Sequence, residues 1–333
     1  MNIDLKNIHI LVVEDIQPMR DLLSHMLGML GVGRVTLSQN GADAYRKYIS
    51  DEPDIIITDW QMPEMDGFEF IKKVRLHKDS PNRTIPIIMM TGFCAHQRIS
   101  LARDNGATEF LVKPFSAEDM AKRISHIIQS PRDFIIAQNF IGPDRRRRRK
   151  DGKKDTCKRK TSPHKVIKAS DKLKIKTGIG SINQILIDKS QKILDENEVD
   201  FVPIMNGFLS QLDQAIAYAK QEEEPTRKAL DDIIDPIMQI KANARIFKYD
   251  LVGNLADIVL TFLEQLNNTD QYVFEIVGAN QKTLKHLVNN KVKGNGGDVG
   301  PVLENELEGA CNRYMNTKAQ ISQNTLKNKT ASK

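Results

Sequence analysis

Cysteine is scarce. The chain holds three, Cys94, Cys157 and Cys311, far apart and without metal-ligand spacing. They build neither a disulfide framework nor a zinc site, so a reducing compartment, the cytoplasm, is expected. Aromatic residues are few, at 6% of the chain, with Trp60 the only tryptophan. No apolar run approaches the roughly 20 residues that span a bilayer, so membrane insertion is not expected. The apolar run at 10–13 is short and ends at Glu14 and Asp15, so no signal peptide is expected there. GxxxxGK[ST] and zinc-type patterns are absent, and none of the seven histidines pairs with Ser or Cys in a catalytic arrangement. Met62, Met65, Met89 and Met90 read as packing groups. The chain is therefore not expected to be an enzyme beyond chemistry at one site of its own.

Positive charge is present but unevenly placed. The formal net charge is +6, yet residues 145–176 hold sixteen Lys/Arg against three Asp, or +13, which leaves −7 for the rest. A basic belt joins mildly acidic parts, a pattern unlike a uniformly basic nucleic-acid binder. At 333 residues, two domains plus connections are expected.

From residue 7 to 130, short apolar runs alternate with amphipathic segments. The runs at 9–13, 35–38, 54–59, 85–91 and 109–112 are rich in Ile, Val and Met and read as buried parallel strands. Between them, 18–30, 42–49, 68–77, 97–105 and 117–128 carry helical spacing, with Leu22, Leu23, Met26, Leu27 and Leu30 the clearest stripe. Pro18 suits a first helical turn, and Gly31, Gly41 and Gly106 stand where helices stop or start. Five such pairs predict an α/β fold with a doubly wound parallel sheet. Residues 131–142 read as an extended segment closing a first domain of residues 1–142.

In such a sheet, ligands bind beyond the carboxyl ends of the strands. Here those ends carry Glu14 and Asp15, Asp59, Thr91, and Lys113 followed by Pro114. Three carboxylates brought together repel one another, and an apolar setting sharpens the repulsion. A cation relieves it. Oxygen ligands without His or Cys favour Mg²⁺. An ionised Asp beside Mg²⁺ and a lysine is what a phosphoryl acceptor requires: Asp59 attacks phosphorus while Lys113 and the Thr91 hydroxyl meet the transferring oxygens.

The segments LVVEDIQPMR, IIITDWQMPEMDGFEF, MMTG and GATEFLVKPF resemble the receiver domains of bacterial two-component response regulators, similar to the chemotaxis type, over about residues 6–130. The resemblance implies a flavodoxin-like fold, Asp59 as phosphoacceptor, and an acidic Mg²⁺ pocket of Glu14, Asp15 and Asp59 with the Gln61 backbone carbonyl. It implies Thr91 and Phe110 as the switch pair, Lys113 as the phosphate contact, and a cis bond before Pro114. Phe110 stands where many relatives have Tyr or His, so it can turn inward but offers no hydroxyl. A histidine kinase or histidine phosphotransfer protein is the implied donor, docking near the helix after Pro18. The surface around the expected fourth helix and the fifth strand would respond. Phe93, bulky and apolar, would shield the attacking-water path and prolong the phosphorylated state.

Residues 143–181 have almost no apolar periodicity and read as a charge-extended linker. Without interleaved aromatics, any polyanion binding by the belt would be weak in sequence preference and driven by phosphate contacts. A nucleic-acid-binding transcriptional regulator using residues 145–176 is the competing reading. Helical periodicity returns over 182–316, in the sets Ile204, Phe208, Leu212, Ile216, Ala219 and Leu251, Leu255, Ile258, Phe262, Leu266. A small all-α bundle is expected there, serving output or assembly through an unidentified downstream protein or a homodimer. Residues 237–248 resemble the active helix of histidine phosphotransfer domains. Lys241 matches the pattern, but Met238 stands at the histidine position, Ala242 at the first glycine and Lys248 at the second. A thioether forms no phosphoramidate. Pro236, with Asp235 as N-cap, suggests a helix start there. A disordered tail is expected over 317–333.

Overall fold

The computed structural model describes residues 2–92, 105–137, 140–144, 165–221, 227–266 and 270–331. Two compact units divide the chain, Met1–Asn197 and Glu198–Lys333.

The first unit is built on five parallel strands: β1 (His9–Val13), β2 (Arg34–Ser38), β3 (Ile55–Asp59), β4 (Ile87–Thr91) and β5 (Glu109–Val112), in the order β2-β1-β3-β4-β5. Every residue of β3 and β4 is buried, which is why IIITD and IIMMT are continuous rather than alternating apolar runs. The described helices are α1 (Gln17–Met29), α2 (Gly41–Asp51), α3 (Gly67–Leu76) and α4 (Ala117–Gln129). Of the helix expected at 97–105, residues 97–104 lie outside the described residues, as does Phe93, and Asn105 is in a turn. Helix starts are locally encoded. Pro18 occupies the first turn of α1, and the Asn40 side chain accepts the Asp43 N–H ahead of α2. Asp66–Glu69 and Ser116–Asp119 form capping boxes on α3 and α4.

Beyond α4 the expected extended segment is a hairpin, β6 (Phe134–Ala137) against β7 (Phe140–Pro143), with β8 (Lys165–Ile167) on its other edge. Arg75, fully buried, joins the hairpin to the sheet domain. Its Nε donates to the Gly106 carbonyl, its Nη1 to the Arg83 carbonyl, and its guanidinium lies 5.1 Å from the Phe134 ring centroid. Gly106, at φ +94°, is required there, because a methyl group would lie 2.6 Å from the Ile141 carbonyl oxygen.

The boundaries differ from those expected. Of the linker read at 143–181, residues 145–164 lie outside the described residues. The remainder includes β8 and a short helix α5 (Lys172–Thr177), followed by α6 (Gln184–Asp195). Helix α6 belongs to the first unit rather than to a helical domain beginning at 182: it packs on α1 and α4. Ile187, Ser190 and Leu194 are its buried face. The Ser190 hydroxyl donates to the Met26 carbonyl at 3.1 Å, and Gln191 Oε1 accepts the Ala117 N–H at 2.9 Å. The wide stripe of α1 (Met19, Leu22, Leu23, Met26, Leu27) is thereby buried against two neighbours, the sheet and α6.

The second unit is helical: α7 (Val202–Ala219), α8 (Arg227–Ala244), α9 (Asp250–Glu264), α10 (Gln271–Asn289) and α11 (Val299–Ala331). Helices α7 and α9 each pack against α8, and α10 packs on α7. The face of α7 is shifted from the expected one: Met205 and Leu209 are buried, while Ile204 and Phe208 are half-buried. Pro236 lies inside α8 rather than at a helix start. The carbonyl four residues earlier, whose helical hydrogen bond the proline removes, belongs to the exposed residue Asp232, and Ile233, Ile234, Ile237 and Met238 are buried around the proline. The chain beyond 316 continues α11 to Ala331 instead of forming a disordered tail. Tyr314 and Lys318 anchor that helix on Asp270 at 3.0 and 2.7 Å.

Candidate functional site

Four strand ends meet at the carboxyl edge of the five-stranded sheet. Glu14 and Asp15 leave β1, Asp59 ends β3, Thr91 ends β4, and Lys113 follows β5. Glu14, Asp59, Thr91 and Lys113 are buried and Asp15 is half-buried. Glu14, Asp15 and Asp59 offer carboxylate oxygens that all lie within 4.8 Å of one another. Lys113 Nζ reaches Glu14 Oε2 at 2.9 Å and Asp59 Oδ2 at 3.1 Å. The Lys113–Pro114 bond is cis. Gln61 follows in the loop after β3, and Phe110 sits half-buried on β5, packed against the core cluster of Val74, Ile87 and Met89.

The electrostatics are those of a site short of positive charge. Burial, and then the neighbouring Asp59, push the Asp15 carboxyl up to about 6. Burial likewise raises Glu14, opposed by Lys113. Burial works against the Lys113 ammonium, but Asp59 and Glu14 outweigh it and hold the lysine firmly protonated. Asp15 Oδ1 is buried with no hydrogen-bond partner. One lysine cannot neutralise three carboxylates. Three carboxylates with oxygens within 4.8 Å of one another, one of them carrying an orphaned buried oxygen, fit a hard divalent cation.

Several positioning groups were not singled out from sequence. Arg20, in the first turns of α1, donates through Nη1 to the carbonyls of Glu14 (2.5 Å) and Asp15 (3.2 Å), clamping the β1–α1 loop. The Trp60 N–H donates to Asp59 Oδ1 at 2.8 Å and orients the carboxylate. Gly67 admits the chain closely: a methyl there would lie 2.2 Å from the Asp59 carbonyl oxygen. Arg20 could have been found from its spacing to the acidic pair, whereas Gly67 depends on how the loop folds back.

A sheet of this order, with an acidic cluster and a buried lysine at its carboxyl edge, defines a doubly wound α/β domain with a candidate metal-binding site. The family described as "Response regulator receiver domain" matches residues 10–125. Chemotaxis protein CheY1 of Helicobacter pylori is 33% identical over 120 residues, 36% of this chain and 95% of that protein. Chemotaxis protein CheY-3 of Vibrio cholerae is 29% identical over 124 residues, 37% of this chain and 94% of that protein. The solved structure of chemotaxis response regulator CheY4 of Vibrio cholerae is 33% identical, covering 36% of this chain and 98% of that one, with a TM-score of 0.34. The chain belongs to the response regulators and carries an N-terminal CheY-like receiver domain of two-component signalling. These matches span the receiver, about a third of the chain; the helical unit lies beyond them. Its Met238 is buried, and Lys241 is engaged by Asp257 at 2.6 Å.

Proposed function

We propose that this protein is a phosphorelay response regulator of the cytoplasm, accepting a phosphoryl group on Asp59 from a phosphohistidine donor and signalling through its helical unit. The observation that carries the reading is the cluster of Glu14, Asp15 and Asp59 at the strand ends, with the buried Lys113 bridging Glu14 and Asp59. Glu14, Asp15 and Asp59, with the Gln61 backbone carbonyl, would hold Mg²⁺, which when bound neutralises charge on the transferring group. Asp59 is the nucleophile. Its Oδ1 is held by the Trp60 N–H, and its Oδ2 faces Lys113. As the phosphoryl group arrives on Asp59, Lys113 meets its oxygens and the Thr91 hydroxyl meets another. Thr91 then moves toward the site and Phe110 turns into the space behind it. This is a shift between two states, read out only by a partner that prefers one of them.

Acetyl phosphate should add one phosphoryl group to the full-length protein, with Mg²⁺ present and not in EDTA, as read by intact mass spectrometry. Labelling that survives Asp59→Asn, or that proceeds equally in EDTA, would remove the assignment.

A further inference from the structure

Among the described residues, the three most exposed large aliphatic side chains are Ile175, Ile179 and Ile185, at 84%, 64% and 61%. All fall within eleven consecutive positions. Single exposed aliphatics are ordinary on a protein surface, but three in one short stretch are not. This stretch is also held firmly. Lys176 Nζ lies 2.6 and 2.8 Å from the two Asp54 oxygens. The Ile3 and Asp4 N–H groups donate to the carbonyls of Ser181 and Thr177, each at 2.9 Å. Thr177 and Ile182 are buried between the exposed isoleucines, and Ile187 is buried just beyond them. The segment therefore has inward residues that pack and outward isoleucines that do not.

The surroundings are basic. Residues 165–185 contain five lysines, one acid (Asp171), no arginine and no aromatic. Lys165 and Lys172 are exposed and have no ion-pair partner among the described residues. We propose that this face, centred on Ile175, Ile179 and Ile185, is a peripheral docking surface for an anionic lipid bilayer. Lys168, Lys174 and Lys176 are paired with Asp133, Asp171 and Asp54, so the isoleucines would enter the headgroup–acyl boundary while Lys165 and Lys172 would meet lipid phosphates, the two signals that interfacial binding combines. Two alternatives fit less well. Nucleic acid would be met by isoleucines with nothing to stack on bases and no guanidinium to fork to phosphate. A second copy of the same face would bring two lysine-rich surfaces together. No helix among the described residues is long and apolar enough to cross a membrane, so the contact proposed is adsorption.

The orientation is compatible with the receiver's chemistry. Asp54 stands just ahead of β3, and Ile3 and Asp4 ahead of β1, so the anchors lie at the amino ends of the strands. The Asp59 site lies at the opposite, carboxyl end and would face solution.

Flotation of the full-length protein with vesicles tests this. Vesicles of phosphatidylcholine with a third of phosphatidylglycerol should carry the protein upward at low salt, and phosphatidylcholine alone should not. The double variant Ile175→Ser, Ile179→Ser should lower the vesicle partition coefficient on the order of tenfold with unchanged net charge. Both positions are exposed, so folding should be retained, with acetyl phosphate labelling as the control. Three results would overturn the proposal: unchanged binding by the double variant, equal binding to neutral vesicles, or a concentration-dependent dimer in sedimentation that the same substitutions abolish. A short duplex DNA that strips the protein from vesicles, and binds the double variant as well as the parent, would also overturn it in favour of nucleic acid.

Discussion

Asp15 carries the largest testable consequence at the scale of single residues. Its carboxyl is raised to about 6, so the folded protein holds that proton more tightly than the unfolded chain does. Its contribution to stability is therefore greatest at low pH and declines as pH rises through the folded value, on the order of 2–3 kcal/mol in all. In EDTA, the melting temperature should fall between about pH 4 and pH 7. Mg²⁺ should restore it, more at pH 7.5 than at pH 5, because only the ionised carboxyl binds the cation. Asp15→Asn should lessen the pH dependence, leaving the part that the raised Glu14 carboxyl contributes, and weaken the Mg²⁺ effect, as read by calorimetry. Lys113 is the complementary case. Removing it leaves Glu14 and Asp59 buried without their counter-charge. Lys113→Ala should cost about 3–5 kcal/mol in urea unfolding without divalent cation, and less when Mg²⁺ is present.

Elements fail or hold through their junctions. The β3–α3 loop closes over Asp59 only because Gly67 has no Cβ; its N–H bonds to the Trp60 carbonyl at 2.8 Å while its Cα passes the Asp59 carbonyl. Gly67→Ala should push the loop away, destabilise the domain by about 1–3 kcal/mol and slow labelling of Asp59. The obstacle is backbone, which cannot rotate aside as a side chain can. A parent-like labelling rate in this variant would show that the loop tolerates the shift. Helix α6 is held differently, by three buried side chains and two polar bonds to α1 and α4.

For the molecule as a whole, the dividing line falls at Asn197, not at the end of the receiver family match. A fragment ending at residue 142 lacks α6 and exposes the part of the α1 stripe that α6 covers. It should be less stable than the fragment 1–197 by about 3 kcal/mol, counting Ile187 and Leu194 at roughly 1.5 kcal/mol each. Equal urea midpoints for the two fragments would mean that α6 contributes nothing to the receiver's stability.

The receiver sheet was readable from residue order because its signals are local. Period and composition mark buried strands, capping residues mark helix starts, and a parallel sheet gathers whatever lies at its strand ends into one place. Glu14, Asp15, Asp59, Thr91 and Lys113 could thus be assembled without coordinates. What tertiary structure decided was whatever depends on a distant neighbour. The hairpin at 134–143 is held by Arg75, some sixty residues earlier. Gly67 is constrained by the Asp59 carbonyl, and α6 joins the first unit because Met26 and Ala117 offer it partners. An amphipathic helix states that it will bury one face, but its sequence does not state against what. For that reason the same pattern in 184–195 reads equally well as the start of a helical domain and as the last layer of the receiver.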